Sequence, residues 1–134
     1  PIWRPEVRAN VIYIARVAGV RHVMVILQRS IGERHGGAVL EGRDIGTVVF
    51  PKADYKFYLD ASPEERAKRR CKELIELGQK ASVDVVLKDI VARDESDMKR
   101  SVGALKKAGD GITVDTTDLS INGVVEKILS YICR

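Results

Sequence analysis

At 134 residues with 45% apolar side chains, the chain has room for one domain with a real core and is too apolar to be a disordered segment. Its 23 basic and 19 acidic residues leave a net charge of +4, which fits either an ordinary solvated surface or an anionic partner, a nucleotide or a nucleic acid. Val23–Leu27 is the longest apolar candidate and far too short to span a bilayer. Aromatic residues are 5% of the chain, so the core must rest on Val, Ile, Leu and Ala. Cys71 and Cys133 are far apart, lack metal-type spacing and read as reduced thiols of a cytoplasmic protein, with a disulfide between them as the lesser alternative. No signal peptide precedes Pro1, which is read as lying inside a longer natural chain.

Taken in order, the pattern predicts two helices over roughly 5–17 and 20–34, interrupted at Gly19 and stopped by His35-Gly36-Gly37. Ala38–Gly42, apolar and bounded by glycines, predicts a buried strand, and Tyr55–Leu59 a second. Ser62-Pro63-Glu64-Glu65 is a helix start with its parts in order: a serine cap, proline at the first helical position and a glutamate to close the capping box. That helix should run to about Leu77 and stop at Gly78. Ser82–Arg93 reads as an amphipathic helix, 95–101 as a further charged helical stretch, Ile112–Asp115 as a third strand, and Ser120 as the cap of a last helix to about Cys133. Strands alternating with helices are the grammar of a parallel sheet with helical crossovers, although three strands make a thin one.

Three stretches carry chemistry. The densest is Glu41-Gly42-Arg43-Asp44-Ile45-Gly46-Thr47-Val48-Val49-Phe50-Pro51, just beyond the first predicted strand, where ligands collect in open α/β sheets. Arg43 can grip a phosphate bidentately and Asp44 can accept from an amino group on a base; the same two residues also suit a pair that merely stitches a loop. Arg93, Asp97 and Arg100 fall at i, i+4 and i+7, one helical face, a spacing that solvated helices also carry often. Arg66, Lys68, Arg69 and Arg70 crowd cations toward a helix amino end, where the dipole disfavours them, unless they face an anion or simply solubilise the helix. His22 and His35 read as surface residues.

These stretches together resemble one family, the bacterial-type cytidylate kinases. The eleven residues at 41–51 look like its central signature. The likeness continues through Leu59-Asp60-Ala61-Ser62-Pro63-Glu64-Glu65-Arg66-Ala67 and Arg69-Arg70, then Arg93-Asp94, Asp97 and Arg100-Ser101-Val102, and ends in Val114–Ile121 with Val124–Ile128 beyond. It covers nearly everything from residue 38 onward. The resemblance implies an α/β fold: a three-layer P-loop-kinase-like parallel sheet with helices on both faces, here incomplete because the central P-loop strand is absent. It implies a division into a helical part at 1–36 and an α/β core at 37–134, with lid helices at about 62–94.

The activity it implies is transfer of the γ-phosphoryl group of ATP to CMP or dCMP with magnesium, a reaction that rests on positioning and charge neutralisation. Arg43 would then hold the monophosphate and Asp44 the cytosine. Arg93, Asp97 and Arg100 would serve the ribose and phosphate, Arg21 the base, and Arg66 and Arg69 the triphosphate from the lid. Arg43 and Arg100 would neutralise charge at the migrating group. Where the family has a serine for the base, this chain has Ile12, and Ile2-Trp3-Arg4 stands in place of an isoleucine–arginine pair.

The glycine-rich loop G-x-x-x-x-G-K-[ST] that grips ATP does not occur, since the sequence contains no Gly-Lys and Gly36-Gly37 is followed by Ala38. The expectation is therefore no useful kinase activity from these residues alone, no tightly held ATP or Mg2+, and a missing amino-terminal segment as partner. Two strand edges would be left unpaired, inviting association, re-pairing or marginal stability. A basic nucleic-acid-binding module and a catalytically inactive nucleotide binder remain as alternatives, but no aromatic platform accompanies the arginines.

Overall fold

A computed structural model describes residues 10, 13, 14, 17–34, 37–99, 101 and 103–133. The chain divides into two units, Pro1–Ala53 with Asp97–Lys106, and Asp54–Ser96 with Lys107–Arg134.

In the second unit, β1 (Phe57–Asp60) and β2 (Ile112–Asp115) pair in parallel, with Phe57 opposite Ile112 and Asp60 opposite Asp115. The ladder runs one bond past each end: Ile112 N–H donates to Lys56 O at 2.8 Å and Thr116 N–H to Asp60 O at 2.8 Å. Val114, at the centre of β2, is fully buried. Parallel strands need a long connection, and residues 61–111 supply it with helices.

The first is α2 (Pro63–Glu76). Ser62 Oγ accepts from Glu65 N–H at 3.2 Å, a cap that contributes about 1 kcal/mol. At the other end Gly78 adopts φ 75°, and the chain folds back in a full Schellman motif: Gly78 N–H donates to Ile75 O and Gln79 N–H to Leu74 O, both at 2.9 Å. Ala67 and Cys71 of this helix meet Val86, with Leu74, Ala81, Leu87 and Ile90 around them.

α3 (Val83–Met98) is one helix where the sequence pattern predicts two. No glycine or proline separates Arg93 from Glu95, so the hydrogen-bond ladder has no reason to stop there. The last helix, α4 (Ile121–Ile132), is capped by Ser120 Oγ, which accepts from Gly123 N–H at 3.2 Å. Its Tyr131 ring tilts against Phe57 at 6.0 Å, and Phe57 stacks on Tyr55 at 6.4 Å. Both cysteines are free thiols, Cys71 buried and Cys133 exposed.

In the first unit, α1 (Ala18–Glu33) starts two residues before its predicted position. Of the helix expected over 5–17, Asn10, Tyr13 and Ile14 are helical, Val17 is not, and the remainder lies outside the described residues. The close approach of α1 to the chain after it explains Gly32: a Cβ there would sit 2.6 Å from the Phe50 ring. Arg29 completes the joint, donating from Nε to Val49 O at 2.7 Å and from Nη2 to Val48 O at 2.8 Å.

Those carbonyls close a π-helical turn, Ile45–Val49, in which Phe50 N–H reaches back five residues to Ile45 O at 2.7 Å. Such wide turns are rare and gather at functional sites. The strand predicted at 38–42 is not formed, so the described sheet has two strands and not three. An apolar run becomes a strand only when a neighbour takes up its N–H and C=O groups, and among the described residues none pairs with 38–42; Val39 is fully exposed.

Candidate functional site

The signature stretch delivers two neighbouring side chains to two different partners in the first unit. Asp44 stands at the mouth of the π-helical turn, its carbonyl accepting from Val48 N–H at 2.8 Å and Val49 N–H at 3.2 Å. These bonds fix its backbone, and its side chain, 4% exposed, accepts from Arg21 Nη2 on the first turn of α1. Arg43, one residue earlier, donates from Nε to Asp97 Oδ2 at 2.6 Å. Asp97 belongs to the carboxy-terminal turn of α3 and is 1% exposed, whereas 42% of the Arg43 side chain faces solvent.

Two carboxylates are thus buried, each against a guanidinium drawn from a distant stretch. That arrangement meets the requirement that a buried charge be paired. It also holds Arg43 at Nε while 42% of that side chain stays exposed, and an arginine with open donors suits an anion.

Of the residues marked by sequence, the structure brings Arg21 to Asp44 and Arg43 to Asp97. Arg93 lies on the exposed surface of α3, one turn before Asp97. Arg100 lies outside the described residues, as do Arg4, Ile12 and His35; His22 is exposed.

The two lid candidates have structural partners in the second unit. Arg66 donates from Nη2 to Asp94 Oδ2 at 2.6 Å and from Nε to Ala61 O at 3.1 Å. The bond to Asp94 pushes its guanidinium above the ordinary range, against some desolvation. Arg69 donates to Glu65 Oε1 at 3.0 Å and to the carbonyls of Thr116 at 2.5 Å and Thr117 at 3.2 Å, clasping the loop that leaves β2. In the same loop the Asp115 carboxyl is held below its usual range by hydrogen bonds from Thr117 Oγ1 at 2.7 Å and Thr117 N–H at 2.9 Å. Arg69→Ala is expected to lower unfolding stability in urea by about 1–2 kcal/mol, a discounted figure because 41% of its side chain is exposed. An unchanged urea midpoint would reduce the clasp to an incidental contact.

Two residues of this site escape sequence reasoning. Arg29 reads as one more charge on a helix, yet it closes the turn that carries Asp44. Gly103, in the loop after α3, lies against the Arg21–Asp44 pair, and its only advance signal is being a glycine where the chain must turn.

Among the described residues no group of three or more His, Cys, Asp or Glu side chains gathers to hold a metal ion, and none of the helices is long and apolar enough to cross a membrane. Asp44 and Asp97 are each taken up by an arginine, so as donors they do not fit a magnesium ion.

Comparison with known proteins matches the whole chain to one family. The family model described as cytidylate kinase matches residues 1–134. The cytidylate kinase of Clostridioides difficile (strain 630) is 47% identical over 127 residues, 95% of this chain and 58% of that protein. That of Desulforamulus reducens is 44% identical over 131 residues, covering 98% and 59% of the two chains. The Clostridium perfringens (strain SM101 / Type A) enzyme is 47% identical over 130 residues, covering 97% and 59%. The chain therefore spans a little under three-fifths of the length of these curated relatives. With its signature segment bearing two Arg–Asp pairs whose carboxylates are buried and its full length matched, the chain belongs to the cytidylate kinase family.

Proposed function

We propose that this chain supplies the monophosphate-binding portion of an ATP-dependent kinase that converts CMP or dCMP to the diphosphate. The observation that carries this reading is the splayed pair Arg43 and Asp44: adjacent in sequence, one held by Asp97 and the other by Arg21. Arg43, half-exposed and anchored at Nε, binds the monophosphate. Asp44 accepts from the 4-amino group of cytosine, a donor that uracil lacks, and Arg21 holds that carboxylate in place. Arg93, Asp97 and Arg100 serve the ribose and phosphate, and Arg66 and Arg69 belong to the lid.

In the transfer an oxygen of the CMP phosphate attacks the γ-phosphorus of ATP, the bond to the bridging oxygen breaks, and ADP leaves. Arg43 and Arg100 offset the negative charge gathered around the migrating group. The nucleophile is already anionic, so no general base is needed. ATP and its magnesium are held, in this reading, by a glycine-rich loop that these residues do not include; the present side chains bind and orient the acceptor. The protein acts in pyrimidine nucleotide metabolism in the cytoplasm and does not act on nucleic acid.

Calorimetric titration of the chain at low salt tests the reading. CMP and dCMP are expected to bind and to compete with one another, AMP is not expected to displace either, and UMP should bind at least tenfold more weakly than CMP. Absence of CMP binding together with tight oligonucleotide binding of steep salt dependence would replace this reading with a nucleic-acid module.

A further inference from the structure

The turn that follows Asp44 stands between two registers. Asp44 O accepts from Val48 N–H at 2.8 Å, the four-residue reach of an α-helix, and from Val49 N–H at 3.2 Å, the five-residue reach of a π-helix. The bond from Phe50 N–H to Ile45 O, at 2.7 Å, belongs to the wider register. That register is the rarer one, so a contact from outside the turn has to hold it open. Any helical turn leaves its last carbonyls without partners of its own. Here the carbonyls of Val48 and Val49 both go to one side chain on α1: Arg29 donates from Nε to Val49 O at 2.7 Å and from Nη2 to Val48 O at 2.8 Å. These two nitrogens form one edge of a rigid planar fork, which fixes the spacing of the two carbonyls. Its positive charge also faces the negative end of the turn. Phe50, which makes the closing bond, rests its ring against Gly32 of the same helix. Arg43 stands outside this joint, since it precedes the turn and has its own tie to Asp97 Oδ2 at 2.6 Å.

We propose that Arg29 is a positioning residue for base selection: its fork keeps the turn in the π register, and that register aims Asp44 at the base. This rests on the proposed role of Asp44 toward cytosine and adds the residue that sets how sharply that role discriminates. Without the fork the turn closes to the α register. Phe50 N–H then leaves Ile45 O for Gly46 O, and the Asp44 backbone, released by Val49 N–H, turns its side chain from the base. The phosphate grip of Arg43 is untouched, so Arg29 acts on the choice of base and not on affinity for every mononucleotide.

Two measurements on the unsubstituted chain, Arg29→Ala and Arg29→Lys test it. Titration of CMP and UMP reads the choice of base, and the NMR coupling across the hydrogen bond between Phe50 N and Ile45 C′ reads the register. The unsubstituted chain must show that coupling, and its absence overturns the π register itself. In Arg29→Ala the preference for CMP over UMP is expected to fall about tenfold, with UMP affinity changed less than about threefold. The coupling to Ile45 C′ is expected to disappear in the same variant. Arg29→Lys should match Arg29→Ala in both measurements, because an ammonium keeps the charge and loses the fork. Parallel weakening of CMP and UMP marks a general support of the fold and overturns the proposal. So does an unchanged preference, retention of the Ile45 coupling in Arg29→Ala, or full recovery in Arg29→Lys. Both variants should fold, since Arg29 is an exposed residue of α1. Failure of the unsubstituted chain to bind CMP refutes the reading of the site instead; the coupling is measured without nucleotide and separates that result from failure of the joint.

Discussion

Arg43→Ala is expected to lower CMP affinity about a hundredfold and to destabilise the chain at the same time. The two effects come from opposite ends of one side chain. Its outer edge, in the proposed site, makes charge-assisted bonds to the monophosphate, worth about 1.5–3 kcal/mol each; losing about 3 kcal/mol costs two orders of magnitude in affinity. Its inner edge neutralises Asp97, a carboxylate 1% exposed. Breaking a fully buried pair costs about 3–5 kcal/mol, but Arg43 is 42% exposed and the pair is partly hydrated, so about 1–2 kcal/mol is the expected loss.

Titration calorimetry reads the first effect and urea unfolding the second. Arg43→Lys should recover part of the stability and little of the affinity, because an ammonium keeps the charge and loses the planar fork. A fivefold or smaller change in CMP affinity for Arg43→Ala would remove this residue from the phosphate.

Asp44→Asn is expected to abolish base preference while leaving phosphate binding in place. The amide keeps the shape of the carboxylate but surrenders the charge that faces Arg21, leaving a guanidinium 18% exposed beside a weaker acceptor. A hydrogen bond to a charged group is worth about 1.5–3 kcal/mol, so CMP should weaken about 30-fold or more. UMP should change less than threefold, since the new amide N–H can donate to the carbonyl that uracil presents. Competition between the two nucleotides measures the ratio directly. Retention of a tenfold preference for CMP in this variant would assign base reading to another side chain. Stability should also fall by about 1–2 kcal/mol, because the Arg21 charge stays largely buried with a neutral partner.

Local chemistry explains why much of the second unit was legible in advance. Ser62, Pro63 and Glu65 specify a helix start through bonds that span three residues, and Gly78 specifies the stop through its own φ. The two strands were legible for a related reason, as short apolar runs between turn signals, although the first was expected at 55–59 and lies at 57–60; they pair with each other. The run at 38–42 carries the same signal and forms no strand, because a strand forms only between two segments and among the described residues none pairs with it.

The site divides in the same way. Sequence alone marks Arg43, Asp44, Arg21 and Asp97 as residues with chemistry, since charge type, spacing and the likeness to a known signature are all written in the chain. It does not say that Arg43 and Asp44, adjacent along the backbone, turn to different partners 54 and 23 residues away. That follows from the π-helical turn, whose wide register fixes Asp44 while Arg29 closes its far end from α1.

Nor does it separate Arg69, which clasps the loop after β2, from Arg43, which stays half-open to solvent, although both are arginines in basic surroundings. The identities of the charged groups are a matter of covalent sequence. Which of them satisfy one another, and which are left to meet a ligand, depends on distances of a few ångströms between remote segments, and only tertiary packing sets those.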